Sequence, residues 1–295
     1  MNFMAHAAAH GLVINDLIAD GRWHRCPTDD KPRKKNGAYV WDGQRGCVIN
    51  FATMVHGAAF RPDGKVEKVD RAAIRKMQAD NARAERERQA EARAKAEDMV
   101  KAASLSTHPY LVAKGFPAEQ GLVLDGELLI PMREFTLYRQ INSVQRIQAD
   151  GTKLFLPGGK AKGSVFFIGP FMARERWLVE GYATGLSVRA ALRELFREAQ
   201  IVVCFSASNL AHIGRLVKPL NMAAYVAADN DKSEAGAQAA AETGLPWVMP
   251  PTVGEDMNDM HQREGLRALV ALIRAVRKPA IQDVDRSHVT CGGYR

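Results

Sequence analysis

The chain has 295 residues, enough for one large or two to three small domains, and its 46% hydrophobic content supports a sizeable core. No apolar run approaches the length needed to cross a bilayer, and residues 1–10 lack the charged and apolar regions of a secretory signal, so a cytoplasmic protein without a membrane partner is expected. The formal net charge of +8, from 41 Lys and Arg against 33 Asp and Glu, favours a polyanionic partner, nucleic acid first among them.

Residues 1–64 read as a small β-rich module. Strands are predicted over 21–26, 38–41 and 46–51, and Asn36-Gly37 is a hairpin signal closing a polar turn. That turn carries Arg33, Lys34 and Lys35 beside aromatic residues, a composition suited to single-stranded nucleic acid through phosphate contacts and base stacking. His24, Cys26, Cys47 and His56 are zinc-ligand types, but the paired C-x-x-C knuckle is missing, so zinc is not expected. The cysteines, which also include Cys204 and Cys291, are scattered and imply no disulfide framework.

Residues 65–104 are rich in Ala, Arg, Glu and Lys, strong helix formers with opposite charges at helical spacing. Large apolar side chains are nearly absent between Met77 and Met99, which predicts a solvated rod bridging two domains. Residues 105–172 follow as a mixed α+β block. It has predicted strands over 128–133, 136–144 and 153–156, a turn at Asp150-Gly151, and a glycine-rich loop over 157–163 containing Lys160 and Lys162. Backbone N–H and ammonium groups in such a loop can approach phosphates, although the spacing is not that of a Walker A loop.

From residue 173 to 277 the pattern becomes strand, acidic turn, helix. An apolar run through Trp177, Leu178 and Val179 ends in Glu180-Gly181, with helical spacing over 186–196. A buried strand over 201–205 places Cys204 in an apolar run, where an inert thiol is expected. Ser206 and Ser208 lack a partnered His and Asp, so a serine hydrolase is rejected. A run over 223–228 ends in Asp229-Asn230-Asp231 with Lys232 next. A shorter one over 246–250 leads to Asp256, Asn258 and Asp259, and one helix is expected over 258–276. Ligands of parallel α/β sheets sit outside the carboxyl ends of the strands, and these carboxylates converge there. Such a cluster requires cations, and all-oxygen donors favour Mg²⁺ or Mn²⁺. Residues 278–295 read as a tail.

Glu-Gly after one strand, Asp-x-Asp after a second and Gly-x-Asp-x-x-Asp after a third resemble the Toprim domain of bacterial-type primases, topoisomerases and some nucleases. The block before it resembles the subdomain preceding Toprim in those primases. The matching residues are Pro131 and Arg133, then Asp150-Gly151 with Lys153 and Phe155, then Lys162-Gly163. The N-terminal module looks like the segment that stands in place of the zinc ribbon in some phage and plasmid primases.

The resemblance implies an α/β fold: a Toprim, Rossmann-like and mainly parallel sheet, preceded by the mixed subdomain, the charged helix and the β-rich module. It implies a DNA primase that joins nucleoside triphosphates into short primers on a single-stranded DNA template by two-metal phosphoryl transfer, in phage or plasmid replication. No helicase domain or Walker motif is present, so the expectation is either a separate replicative helicase as partner or a chain that is one portion of a longer product. Glu180, Asp229 and Asp231 would be catalytic, with Asp256 and Asp259 joining them around the metal. Arg133, Arg146, Lys153, Lys160, Lys162 and Lys232 would hold nucleic acid or nucleotide. The third motif departs from the commoner form: its second acid falls three residues after Asp256, with Asn258 between, leaving open which of Asn258 and Asp259 reaches a metal. The rival readings are a non-catalytic Toprim protein that binds single-stranded DNA or docks a helicase, and a Toprim nuclease.

Overall fold

The computed structural model describes residues 2–62, 71–220 and 222–276. The expected tail and the first residues of the expected linker lie outside these.

The N-terminal module is helix α1 (Phe3–Ala9) on a four-stranded antiparallel sheet in chain order: β1 (Trp23–Cys26), β2 (Gly37–Trp41), β3 (Gly46–Asn50) and β4 (Ala58–Phe60). Phe3 anchors the helix, its ring stacked on Trp41 at 4.5 Å and edge-on to Phe60 at 5.6 Å. Neither α1 nor β4 has a strong local signal, because both are too short for periodicity to show. The expected Asn36-Gly37 hairpin is not formed. Gly37 is the first residue of β2, paired with Cys26, and the connection runs over 27–36. The glycine serves close packing, since a Cβ there would press on Leu12, Cys26 and Thr28. The four zinc-type side chains have separate surroundings. Cys26 is buried, His24 Nε2 lies 2.8 Å from Asp20, and His56 Nε2 lies 2.5 Å from Glu242 on the far side of the molecule's sequence. Cys47 lies against Gly57.

Helix α2 (Arg71–Ala102) is not the free rod that its composition predicts. Asn81 ties it to the N-terminal module, donating to the Asp20 carbonyl (3.1 Å) and accepting from Arg22 Nε (2.8 Å). Farther along, Ala92 and Ala96 are buried against Leu129, Ile141, Val144 and Leu156. The small alanines let the helix backbone approach the sheet closely, and Met99 and Val100 extend the seat along the helix.

The remainder is built on one ten-stranded sheet. Its first part comprises β5 (Ser104–Ser106), helix α3 (Pro109–Ala113), β6 (Gly121–Leu124), β7 (Glu127–Glu134), β8 (Ile141–Ile147), β9 (Lys153–Phe155) and β10 (Ser164–Ile168). The strand expected over 136–144 begins only at Ile141, after a turn, and β7 carries a register shift against β8 between Met132 and Arg133. The second part runs β11 (Glu175–Val179), α4 (Tyr182–Glu194), β12 (Gln200–Val203), α5 (Ala207–Val217), β13 (Ala223–Ala227), α6 (Ala235–Thr243), β14 (Trp247–Val248), α7 (Met257–Glu264) and α8 (Leu266–Val276). The single helix expected over 258–276 is two, divided at Gly265, whose φ of +83° closes α7.

Strand order is β14-β13-β11-β12-β10-β7-β6-β5, with β8 and β9 branching from β7. The first four are mutually parallel, and β10 joins them antiparallel through β12. Alternation along the strands divides the core. Trp177, Val179, Ile201 and Val203 face α4 and α8. Leu178, Val202, Cys204 and Val226 face α5 and α6, where Val55 of the N-terminal module also packs. Both faces being covered explains why these strands read as continuous apolar runs.

Replacing Ala96 with leucine should overpack the α2 seat and lower stability by about 1–3 kcal/mol. The check is a reduced urea midpoint with unchanged slope, while Ala90→Leu, on the exposed side of the helix, leaves the midpoint nearly unmoved.

Candidate active site

The chain turns back on itself at β11. The connection through α4 places β12 on one side, and the next parallel strand, β13, lies on the other. Glu180 leaves β11 at this reversal, which is where an open α/β sheet has its crevice. Its backbone is fixed from the neighbouring strand end: Phe205 N–H donates to the Glu180 carbonyl and Cys204 N–H to that of Val179, both at 2.8 Å. Gly181 then caps α4 without a side chain.

Asp229 leaves β13 beside it. The following loop is tied to the β14–α7 loop, with Asn230 N–H on the Glu255 carbonyl (3.0 Å) and the Asn230 side chain on that of Pro250 (2.9 Å). Asp229 Oδ1 is buried and has no hydrogen-bond partner among the described residues. Asp231 has several. Its carboxylate accepts from the N–H groups of Ser233 (2.9 Å), Ala235 (3.2 Å) and Gly236 (2.8 Å), and from the Ser233 hydroxyl. Gly236 is required here, since a Cβ would strike the Asp229 carbonyl.

The electrostatics follow from this division. Burial, then the charges of Asp231 and Asp256, push the Glu180 carboxyl up to about 7, with Lys153 pulling the other way. Burial, then Glu180 and Asp256, raise Asp229 well above the ordinary range, and again Lys153 opposes. Asp231 is also pulled up by burial, but its hydrogen bonds outweigh that and hold it below the usual value. So Asp231 and Asp256 both repel Glu180, and Glu180, Asp256 and Asp231 all repel Asp229, although the Asp231 carboxylate is itself held by its own loop.

The third motif builds the start of α7. Asp256 Oδ1 accepts from Asn258 N–H (2.6 Å) and Asp259 N–H (2.9 Å), and Asp259 Oδ2 accepts from Asp256 N–H (3.2 Å), a capping box. The other oxygen of Asp259 lies 3.6 Å from Lys114 Nζ. Asn258 is fully buried and donates to the Lys114 carbonyl (2.9 Å) and to Ser187 Oγ (3.1 Å), docking α7 on α4. As placed, Asn258 and Asp259 are occupied with structure.

An orphaned buried oxygen beside two further carboxylates is a donor set that fits a hard divalent cation. Among the described residues no three His, Cys, Asp or Glu side chains are gathered into a ready-made cage. The site is therefore a set of carboxylates on fixed strand ends rather than an assembled coordination sphere.

Residues 175–267 match the family model of the Toprim domain. The chain carries a Toprim domain. DNA primase TraC of Escherichia coli is 32% identical over 239 residues, covering 73% of this chain, and the chain spans about a fifth, 21%, of that relative's length. Among solved structures, the primase fragment of the bacteriophage T7 primase-helicase protein is similar at 16% identity and TM-score 0.39, over 52% of this chain and 65% of that one. The RNA polymerase domain of Mycobacterium tuberculosis primase DnaG is similar at 19% identity and TM-score 0.36, over 56% and 61%. The protein is thus primase-like, a Toprim protein related to a DNA primase. Among the described residues no helix is long and apolar enough to cross a membrane.

The expected basic residues separate into two groups around the Toprim carboxylates. Lys153, exposed at the start of β9, is the cation whose charge reaches both Glu180 and Asp229. Three others are engaged within the preceding block: Lys160 Nζ on Glu134 (2.6 Å), Arg146 near Glu127 (3.4 Å) and Arg133 on the Arg139 carbonyl (3.2 Å). Lys162 is exposed beside His212, and Lys232 is exposed after the Asp229–Asp231 turn. Arg33, Lys34 and Lys35 are exposed on the N-terminal module.

Two positioning residues carry no motif that sequence reasoning could have used. Asn209 accepts from Gly163 N–H and donates to the Ser164 and Cys204 carbonyls, all at 2.8 Å, pinning the glycine-rich loop to the end of β12. Lys114 meets α7 from a turn that is far away in the chain.

Because the Glu180 carboxyl is raised on folding, its protonation stabilises the fold. That contribution is fully present below pH 4.5 and is lost as pH rises through about 7. Glu180→Gln should remove the loss. In EDTA its urea midpoint should exceed that of the unaltered protein above pH 7, and the difference should vanish below pH 4.5.

Proposed function

We propose that the protein is a primase-type nucleotidyltransferase that joins nucleoside triphosphates into short primers on single-stranded DNA. The observation that carries this reading is the buried pair Glu180 and Asp229 at the reversal of the sheet, both repelled by Asp231 and Asp256 and both faced by Lys153 from the preceding block. Mg²⁺ or Mn²⁺ bound there would offset the repulsion and supply the positive charge that phosphoryl transfer needs. Asp229, with its orphaned buried oxygen, is the principal ligand, and Glu180 and Asp256 complete the set. Asp231 shapes the loop that aims Asp229.

Lys153 stands opposite and is placed to hold a phosphate of nucleotide or template. Glu180 titrates near neutrality in the cation-free protein, so it can take up or release a proton at its carboxylate when no cation is bound. The exposed Arg33, Lys34 and Lys35 would bind the template strand, Lys162 and Lys232 its phosphates nearer the carboxylates. Service to a phage or plasmid replicon, with a separate helicase, belongs to the same proposal and follows from the resemblance of the N-terminal module.

Two measurements test it. Asp229→Ala should abolish metal-dependent primer synthesis on mixed-sequence single-stranded DNA and leave DNA binding nearly intact. Primers made by that variant at the normal rate would refute the site, and degraded template from the unaltered protein would indicate a nuclease. Mn²⁺ should stabilise the unaltered protein as a native-state ligand does, by about 3 kcal/mol at a hundredfold excess over Kd, seen as a raised Tm, and the rise should disappear in Asp229→Ala.

A further inference from the structure

Strand β9 presents more than Lys153 to the carboxylates. All three of its residues are exposed, and Lys153 and Phe155, two apart, project from the same face. Phe155 is 45% exposed, and its ring meets that of Phe205 at 6.3 Å, nearly perpendicular at 77°. Phe205 lies two residues past the end of β12, and its own N–H holds the Glu180 carbonyl at 2.8 Å. So one aromatic pair, one ammonium group and the carboxylate cluster lie along a single edge.

Two features mark the pair as more than packing. Phe205 sits at φ +68°, a left-handed conformation that is unfavourable for a residue with a Cβ and would suit glycine. The chain places a large ring there. The partner ring, moreover, leaves nearly half its surface in water, where packing alone would cover it. An exposed aromatic face beside a cation is the arrangement that grips single-stranded nucleic acid, base on ring and phosphate on ammonium.

We propose that Phe155, buttressed by Phe205, is a base-stacking platform for the single strand, seating one base while Lys153 holds an adjacent phosphate. The platform sets how far the strand enters toward Glu180 and Asp229. This rests on the reading of the site as one that acts on a nucleic-acid strand, but it requires no cation and can be tested without one. Phe155 is here a positioning residue.

The test is fluorescence anisotropy in EDTA, with a short labelled oligodeoxynucleotide and the same oligonucleotide made abasic throughout. Phe155→Ala should weaken binding of the normal strand about five- to a hundredfold, in line with the roughly 1–3 kcal/mol that stacking contributes per base, and should leave binding of the abasic strand unchanged. Phe155→Tyr should bind the normal strand like the unaltered protein. Phe155→Leu keeps an apolar contact with Phe205 but offers no flat face, so it should lose affinity like the alanine variant while keeping its Tm. Equal affinity of Phe155→Ala for the normal strand, or an equal loss on both strands, would overturn the proposal. Primer synthesis is scored separately. If the unaltered protein makes no primers yet shows the base-dependent loss, the platform stands and the catalytic reading falls. If it makes primers and Phe155→Ala binds normally, the reverse holds.

Discussion

Glu180 and Asp229 stand at the ends of adjacent parallel strands, both buried, and the Glu180 charge adds to burial in raising Asp229's hold on its proton. Left to relax, two such carboxylates would turn away into water. The surrounding structure prevents this at the backbone. Phe205 N–H fixes the Glu180 carbonyl, the Asp231 loop closes over Gly236, and Asn230 ties that loop to the start of α7. The strain is thus held by hydrogen bonds that do not involve the two carboxylates themselves. That is the general form of a preorganised ionic site: charges placed by a rigid frame and available to a ligand of opposite sign.

Much of this was legible in the sequence, and for one reason. A strand buried on both faces must be apolar throughout, so its end is marked by the first polar residue. Glu180 and Asp229 can therefore be placed from the apolar runs alone, whereas the run over 201–205 overshoots β12, which ends at Val203. The roles of Asp231, Asn258 and Asp259 were less legible. A carboxylate that accepts backbone N–H groups and one aimed at a ligand are the same letter, and only the geometry of the following turn separates them. The apolar spacing over 258–276 continues past Gly265 and so reads as one helix, and a positive φ leaves no trace in periodicity.

Other expectations failed where a small residue had two uses. Asn36-Gly37 has the composition of a tight turn, but Gly37 is there to let Leu12, Cys26 and Thr28 close in. The alanines of α2 suggest a helix with nothing to bury, yet Ala92 and Ala96 are the fully buried part of its seat on the sheet, beside Met99 and Val100. Residues 136–144 read as one strand, but the chain first turns before Ile141. In each case local pattern gave the residue's tolerance, and the tertiary neighbour decided its use.

The register shift between Met132 and Arg133 reaches beyond β7. Along the sheet, β9 is five steps from β11, through β12, β10, β7 and β8. Neighbouring strands rotate by about 20–25° each, so those steps accumulate on the order of 100° or more, and a bulge adds to the local twist. The far margin of the sheet therefore curls round until β9 faces the end of β12, where Phe155 meets Phe205. The gap between ammonium and carboxylates is an angular quantity, summed across strands that never touch either. Flattening the sheet anywhere along that path would open the gap while leaving every residue on both sides of it unaltered.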